Sequence, residues 1–279
     1  MRLRGRLKRI VYGVRPFYRG SFPYFEHQVH FPLGSHLFER VCHEGIYEQQ
    51  TLDLLFGLLD QSTAYIDVGA NIGLMSVPIV ARRPDVQVIS LEPSPETLTF
   101  LKATQNWSPH RNRWTVFGCA VGESAGSATF WASRPENGAF DGLKNTGRGG
   151  EGRSVLVDIR PLDDIWRNVG TPKVSLIKID VEGGEAGVIQ GSRSLIERDR
   201  PALVIEWSRL NLTAYGIEPS YLLTLCREIS YRAYAFPSLI EIGTETILRL
   251  AMSTTETFLL APADASQRIE QRVKIAGSV

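Results

Sequence analysis

The segment from Ala64 to Gly73 constrains the fold of this chain more than any other. Residues Ala64 to Val68 form a run that is typical of a buried strand, and a turn containing two glycines, Gly69 and Gly73, follows it. The residues from Asn71 to Ala81 are predicted to form a helix. A strand, a glycine turn and a helix in this order are the usual nucleotide-binding unit of a doubly wound α/β fold.

The same alternation continues along the chain. The leucine spacing between Tyr47 and Leu59 predicts a helix that ends at Asp60. Further strands are predicted at 86–91, 114–119, 174–179 and 202–206, and further helices at 94–105 and 185–197. Two more segments, 231–236 and 257–260, are predicted to close the sheet. Strands that alternate with helices at this spacing indicate a doubly wound, mostly parallel sheet.

An insertion interrupts the alternation between the third and fourth strands. Residues 127–132 and 154–159 are predicted to pair as a hairpin around the glycine-rich stretch 138–152. Such a stretch is either a flexible loop or a lid over a substrate, and the sequence leaves both interpretations open.

The glycine turn indicates which ligand binds at the end of the first predicted strand. Gly69 allows close approach of the backbone, and Gly73 allows the helix to pack closely on the strand. Their Gly-x-x-x-Gly spacing differs from the Gly-x-Gly-x-x-Gly of dinucleotide sites, where a pyrophosphate lies over the turn. S-adenosylmethionine has no phosphate and carries an ammonium and a sulfonium instead. The carboxylate of Asp67 at the end of the strand suits such a cation.

A second carboxylate, Glu92, follows the second predicted strand directly. A carboxylate at this place accepts hydrogen bonds from both ribose hydroxyls of a nucleoside cofactor. It does not by itself distinguish a methyltransferase from a dehydrogenase. Together with the glycine turn, it predicts a nucleoside site.

Two acidic residues follow the fourth predicted strand. While the chain stays extended, a period of two places Asp180 and Glu182 on the same side, at the carboxyl edge of the sheet. Acids in this place can orient a hydroxyl, accept its proton or help to position a cofactor. We predict both as catalytic and Asp180 also as cofactor-binding, whereas Glu185 is interpreted as a helix cap.

These segments together resemble the FkbM family of methyltransferases. The similar stretches are 65–73, 91–93, 120–122, 178–185 and 201–206. The resemblance implies a class I, Rossmann-like methyltransferase fold with a seven-stranded sheet, S-adenosylmethionine as methyl donor, and O-methylation of a sugar, a glycoconjugate or a secondary metabolite. The full set of expected cofactor-binding residues is Tyr47, Glu48, Asp67, Gly69, Ala70, Asn71, Gly73, Glu92, Pro93, Ala120 and Asp180. Tyr47 and Glu48 match a position that covers the cofactor in similar proteins, although a helix cap is an equal alternative.

Two other functions remain open on the sequence. A nicotinamide-dependent oxidoreductase would share the sheet and the ribose acid, but its glycine spacing differs and it would need a Tyr-x-x-x-Lys pair. A catalytically silent methyltransferase-like binding subunit would have no need of Asp67, Gly69, Glu92 and Asp180. The retention of these residues favours an enzyme.

Charge separates the amino-terminal segment from the rest of the chain. Lysine and arginine total 31 against 30 acidic residues, so we predict no nucleic-acid partner. Residues 1–20 nevertheless carry seven basic side chains and no acid. This arm is either a solvated tail or a patch for peripheral contact with anionic lipids. We divide the chain into an arm and lead-in at 1–46, a methyltransferase domain at 47–262 and a polar tail at 263–279.

Cysteines and histidines provide no metal motif. The three cysteines are far apart and lack a Cys-x-x-Cys pair, which is typical of reduced thiols in the cytoplasm. His27 and His30 lie in a segment without the spacing needed to bring three ligands together. We therefore predict a cytoplasmic, metal-free enzyme in which a histidine remains an alternative general base.

Overall fold

The computed structural model describes residues 3–15, 18–265 and 272 of the chain. The helices are α1 (Leu3–Lys8), α2 (His36–Glu44), α3 (Gln49–Leu58), α4 (Ser76–Arg82), α5 (Pro95–Asn106), α6 (Leu162–Asn168), α7 (Glu185–Gln190), α8 (Arg193–Asp199), α9 (Arg209–Tyr215), α10 (Tyr221–Ile229) and α11 (Glu245–Ala251). The strands are β1 (Ser21–Tyr24), β2 (His27–His30), β3 (Ala64–Val68), β4 (Gln87–Leu91), β5 (Trp114–Phe117), β6 (Ala120–Val121), β7 (Gly126–Ser133), β8 (Gly152–Arg160), β9 (Val174–Ile179), β10 (Ala202–Glu206), β11 (Tyr231–Ala235), β12 (Ile240–Glu241) and β13 (Thr257–Pro262). A π-helical turn, Arg9–Gly13, continues α1, and a 3₁₀ turn, Pro135–Phe140, lies between β7 and β8.

The central sheet confirms the predicted α/β class. Its strand order is β12-β11-β13-β10-β9-β3-β4-β5. Strands β10, β9, β3, β4 and β5 run parallel, whereas β13 runs antiparallel to both β10 and β11. The expected count of seven strands was one too low, because the two-residue strand β12 pairs with the edge of β11.

The strand order reverses at β3, which lies between β9 and β4. Chain connections leave the two sides of this point in opposite directions, which opens a crevice beyond the carboxyl ends of the strands. The turns that carry Gly69, Glu92 and Asp180 all follow these three strands. The topology therefore brings the predicted site residues to one edge of the sheet.

Helices cover both faces of the sheet. Along β3, Tyr65 packs into the cluster of α3, α4 and the amino-terminal segment, while Ile66 packs into the cluster of α6 to α10 on the other face. Along β9, Leu176 and Ile177 divide in the same way. This alternation within strands buried on both faces explains why they read as nearly continuous apolar runs.

Two predicted helices differ from the structure. The helix expected from Asn71 begins at Ser76, because Asn71 and Gly73 have positive φ angles of 51° and 91° that an α-helix does not allow. The helix expected at 185–197 is two helices, α7 and α8, that are separated at Gly191 and Ser192. A Cβ on Gly191 would lie 2.0 Å from the carbonyl oxygen of Gly122, so the break permits close packing there.

The predicted hairpin insertion is present as β7 and β8. All of β7 pairs antiparallel with residues 152–159 of β8, and β6 joins β8 to make a separate three-stranded sheet. The connection between β7 and β8 reaches back to the amino-terminal part of the chain, since the ring of Phe140 lies 5.8 Å from the ring of His36 at the start of α2. We name residues 134–151 the insertion loop.

The amino-terminal lead-in is part of the folded core. Residues 18–46 form β1, β2 and α2, and Phe22, Phe31 and Phe38 of this segment are buried in the main core. Of the predicted tail at 263–279, residues 266–271 and 273–279 lie outside the described part. Within the described residues, no helix combines the length and the apolar character needed to cross a membrane. The division of the chain into these three segments remains a prediction.

Candidate active site

A cleft that encloses about 880 Å³, part of it open to solvent, lies at the carboxyl ends of β3, β4 and β9. The predicted site residues that line it are Tyr47, Asp67, Gly69, Ala70, Asn71, Glu92, Pro93, Ala120, Asp180 and Glu182. The fold thus brings together residues that are more than 130 positions apart in the sequence.

Glu48 and Gly73, which the sequence also assigns to the cofactor, do not line the cavity. The carboxylate of Glu48 accepts a hydrogen bond from Arg40 at 3.2 Å. Gly73 lies against the rings and side chains of the neighbouring elements, and a Cβ there would be 3.0 Å from Leu101 and 3.3 Å from Trp114. Gly73 therefore serves close packing beneath the turn.

The turn after β3 is held by the neighbouring strand. The backbone amides of Gly69 and Ala70 both donate to the carbonyl oxygen of Leu91 at 3.0 Å. Gly69 has a φ of +83°, and a Cβ at this position would lie 1.8 Å from the carbonyl oxygen of Asp180. Only glycine allows the turns after β3 and β9 to come this close.

Glu92 is held rigidly at the wall of the cavity. Its side chain is buried, and its two oxygens accept hydrogen bonds from the amides of Asn71 at 2.9 Å and Ser94 at 2.8 Å. Burial raises the pKa of Glu92 to about 8, although the two amides oppose this rise. In the ionised form of Glu92, each carboxylate oxygen has two acceptor positions and retains one for a ligand hydroxyl.

Asp67 faces the interior of the protein rather than open solvent. Its carboxylate accepts a hydrogen bond from the Ser76 hydroxyl at 2.6 Å, and that hydroxyl also lies 2.7 Å from the hydroxyl of Ser90. In the sheet register, Asp67 is paired with Lys178. Burial raises the pKa of Asp67, and the charge of Lys178 opposes the rise. The positive charge that stabilises ionised Asp67 therefore comes from Lys178, a residue of the protein itself.

A buried lysine fixes the position of Asp180. The ammonium of Lys178 donates to the Asp180 carboxylate at 2.8 Å, and the Asp180 side chain is 31% exposed whereas that of Lys178 is 8% exposed. Although burial disfavours its charge, the carboxylates of Asp180 and Asp67 keep the pKa of Lys178 above its usual value. Of the two residues, Asp180 therefore has the more exposed side chain at the cavity.

Glu182 lies next to Asp180 and contacts the insertion loop. The guanidinium of Arg148 donates to Glu182 and to the side-chain oxygen of Asn211, each at 3.3 Å. Burial, with the nearby charge of Asp180, raises the pKa of Glu182 to about 8, and Arg148 opposes the rise. The Glu182 carboxyl therefore holds its proton to a higher pH than an exposed glutamate does.

A third acid, Glu206 at the end of β10, completes a carboxylate cluster. One oxygen from each of Asp180, Glu182 and Glu206 lies within 4.8 Å of the others, an arrangement that has room for a metal ion. Burial raises the pKa of Glu206, which also accepts a hydrogen bond from the Asn211 amide at 3.1 Å. The prediction of a metal-free site stays a prediction.

Helix α2, strand β7 and the insertion loop supply further wall residues. Leu37 of α2, Phe130 of β7 and Asp141 of the insertion loop line the cavity. The side-chain amide of Asn71 donates to the carbonyl oxygen of Gly138 at 2.9 Å, which ties the loop to the turn after β3. Burial raises the pKa of Asp141 to about 6. These contacts join segments far apart in sequence, so no local spacing predicts them.

The histidines of the lead-in do not line the cavity. His27 is buried, and its ring nitrogens lie 2.8 Å from the carbonyl oxygen of Phe25 and 2.9 Å from the hydroxyl of Ser108. Both of its nitrogens are therefore committed to structural hydrogen bonds. The acidic residues after β9 are better placed than His27 to accept a proton.

The raised pKa values predict how stability depends on pH. A carboxyl whose folded pKa of about 8 exceeds its ordinary 4.5 binds more protons in the folded state, so the free energy of unfolding falls as pH rises between these values. We expect the thermal midpoint of the ligand-free protein to fall as the pH rises from about 7 to about 8, above the range in which His27 and His30 titrate.

Circular dichroism melting curves measure this effect. In Glu182→Gln the fall should be smaller than in the unaltered protein, and the surface variant Glu96→Gln should leave it unchanged. A midpoint that stays constant or rises over this range would contradict the burial argument for Glu92 and Glu182.

Comparison with known sequences decides the family. The sequence model of the methyltransferase FkbM domain matches residues 67–233, more than half of the chain. The chain belongs to the FkbM methyltransferase family. The match includes the turn after β3, Glu92 and the acidic residues after β9. Family membership sets the oxidoreductase alternative aside and confirms the resemblance to the FkbM family.

Individual relatives are distant from this FkbM-family chain. The methyltransferase sdnD of Sordaria araneosa is 23% identical over 187 residues, which cover 57% of this chain and 72% of that protein. The 2-O-methyltransferase NoeI of Sinorhizobium fredii is 26% identical over 151 residues, 48% of this chain and 59% of NoeI. The solved structure of methyltransferase FkbM from Methylobacillus flagellatus has a TM-score of 0.49 and 23% identity, covering 78% of this chain and 49% of that one.

Proposed function

We propose that this FkbM-family protein is an S-adenosylmethionine-dependent O-methyltransferase whose acceptor is a hydroxyl of a sugar, a glycoconjugate or a secondary metabolite. The observation that carries the proposal is the convergence of Glu92, the Gly69 turn and Asp180 on one cavity at the switch point of the sheet. The name of the relative NoeI, a 2-O-methyltransferase, supports oxygen as the acceptor atom.

The wall of the cavity fits the cofactor. Glu92 offers two acceptor positions for the ribose hydroxyls, and its carboxylate is already aligned by two backbone amides. The backbone from Gly69 to Asn71 would line the amino-acid part, and apolar side chains such as Leu91 and Val121 offer a surface for the adenine. The cofactor supplies an electrophilic methyl group on a sulfonium.

The acceptor side of the reaction is assigned to Asp180. Transfer to oxygen needs in-line alignment of the hydroxyl and removal of its proton. Lys178 holds the Asp180 carboxylate by one oxygen at 2.8 Å, which leaves the other oxygen free to accept the hydroxyl proton. Glu182, whose pKa burial raises, lines the cavity beside Asp180 and is placed to hydrogen-bond the acceptor. Proton acceptance of this kind contributes about 10²- to 10⁴-fold to a rate.

Glu92→Gln tests the assignment of the ribose site. The amide retains the shape of the side chain but replaces one acceptor oxygen with a donor group, so we expect the affinity for S-adenosylmethionine to fall about tenfold to a hundredfold. Isothermal titration calorimetry measures the dissociation constant. Glu96→Gln, in the first turn of α5, is the matched control and should bind as the unaltered protein does. Equal affinities of Glu92→Gln and the control would remove Glu92 from the site.

The carboxylate cluster predicts the response to metal removal. Each of its acids already has a donor on its own chain, namely Lys178 for Asp180, Arg148 for Glu182 and Asn211 for Glu206. We therefore expect methyl transfer to continue at full rate after dialysis against a chelator. A loss of activity that magnesium or manganese restores would show that the cluster needs an ion.

The acceptor itself is identified by comparing cells with and without the gene. Mass spectrometry of their glycans and small metabolites should reveal a species that differs by one methyl group. Incubation of the extract that lacks the gene with the purified protein and labelled S-adenosylmethionine should then label that species on oxygen. Labelling of the protein fraction or of nucleic acid instead would overturn the proposed substrate class.

A further inference from the structure

The first helical segment of the chain exposes a row of large apolar side chains. Leu3, Leu7, Ile10 and Val11 are 74%, 54%, 52% and 38% exposed. Of the nine large apolar residues that are exposed among the described residues, four therefore lie in this one short segment. Their i, i+4, i+7, i+8 spacing places them on a single face of the helix. We name these four residues the apolar stripe.

Arginines border the stripe. Arg4 and Arg6 are exposed, and at helical spacing they lie on either side of the line from Leu3 to Leu7. The first acid in the sequence is Glu26, so no carboxylate of this segment balances their charge. An apolar face with a basic border is the pattern of helices that lie in the interface of a bilayer.

The opposite face of the same segment is fastened to the body of the protein. Arg9 donates to Glu39 of α2 at 2.7 Å, and the ammonium of Lys8 lies 5.5 Å from the ring centre of Phe22. A Cβ on Gly13 would lie 2.3 Å from the ring of Phe38, so the backbone packs directly on α2. The apolar stripe therefore projects from a fixed surface rather than from a loose tail.

We propose that the apolar stripe and its arginine border form a docking surface for a membrane that contains anionic lipids. Charge complementarity selects this occupant: phosphate headgroups pair with Arg4 and Arg6, while the stripe enters the boundary between headgroups and acyl chains. The segment packs on α2, and α2 contributes Leu37 to the cavity wall. Docking thus holds the face of the molecule next to the cavity against the membrane. This inference does not depend on the methyl acceptor.

Co-sedimentation of the full chain with vesicles tests the surface. We expect binding to vesicles of phosphatidylcholine mixed with phosphatidylglycerol, little binding to phosphatidylcholine alone, and weaker binding as salt is added. The double variant Leu7→Glu, Ile10→Glu should abolish binding. The double variant Arg4→Gln, Arg6→Gln should weaken it by about fivefold for each arginine removed.

Matched variants elsewhere on the surface separate docking from general effects. Leu210→Glu with Leu250→Glu changes two leucines that are 66% and 71% exposed on α9 and α11, and Arg111→Gln with Arg209→Gln removes the same charge. Both controls should bind vesicles normally, and all variants should keep the unfolding midpoint and the affinity for S-adenosylmethionine. Failure of the unaltered chain to bind anionic vesicles would overturn the proposal. Binding that the stripe variants retain would also overturn it, as would a dimer in sedimentation velocity that Leu7→Glu, Ile10→Glu dissociates.

Discussion

Replacement of Asp180 by asparagine is expected to lower kcat for methyl transfer about 10²- to 10⁴-fold. The amide keeps the size of the side chain, but it cannot accept the hydroxyl proton and it removes the negative partner of Lys178. The cofactor affinity should change far less than the rate, because Glu92 and the backbone of the turn after β3 remain. Transfer of labelled methyl into an extract of cells that lack the gene measures the rate, and calorimetry measures the affinity.

Asp158→Asn is the control for this substitution. Asp158 is exposed on β8, so the same loss of one charge there should leave both quantities unchanged. If Asp180→Asn retained full turnover, the proton would be accepted elsewhere. If it lost affinity for S-adenosylmethionine in proportion to the rate, Asp180 would be a cofactor-binding residue without a proton-transfer role.

Gly69→Ala is expected to have the largest effect on stability, at about 4 kcal/mol or more. The added methyl would lie 1.8 Å from the carbonyl oxygen of Asp180, and this backbone atom cannot move without disturbing the turn after β9. The positive φ of Gly69 adds strain of about 1–2 kcal/mol. Urea unfolding followed by fluorescence measures the change in the free energy of unfolding.

Gly170→Ala is the control that measures the cost of a positive φ angle without a steric clash. Gly170 has a φ of +85°, close to that of Gly69, but a Cβ there meets nothing within 4 Å. This control should therefore lose only about 1–2 kcal/mol. Equal losses in the two variants would mean that the turns after β3 and β9 do not press together as the structure has them.

The parts of the fold that the sequence predicts best are those governed by burial. Strands β3, β9 and β10 occupy the predicted residues because both of their faces are buried and turn residues bound them. The predicted start of α4 was wrong. The apolar periodicity predicts a helix from Asn71, but the positive φ angles of Asn71 and Gly73 prevent it. Strand β12 was not predicted, because its two residues are exposed and too few to show a periodic pattern of apolar residues.

The candidate site also has one part that the sequence predicts and one part that it does not. Gly69, Glu92 and Asp180 follow strand ends, so topology alone brings them to the cavity. The contacts of Arg148 with Glu182 and of Asn71 with Gly138 depend on how the insertion loop folds back over that edge. Such contacts arise from tertiary packing, which no spacing within one element encodes.

A crystal structure of the protein with S-adenosylhomocysteine tests the central claim most directly. We predict that both ribose hydroxyls donate to the carboxylate of Glu92, that the amino-acid part lies along the turn at Gly69, and that the sulfur faces Asp180. A nucleoside bound outside the cavity, or with its ribose away from Glu92, would contradict the account.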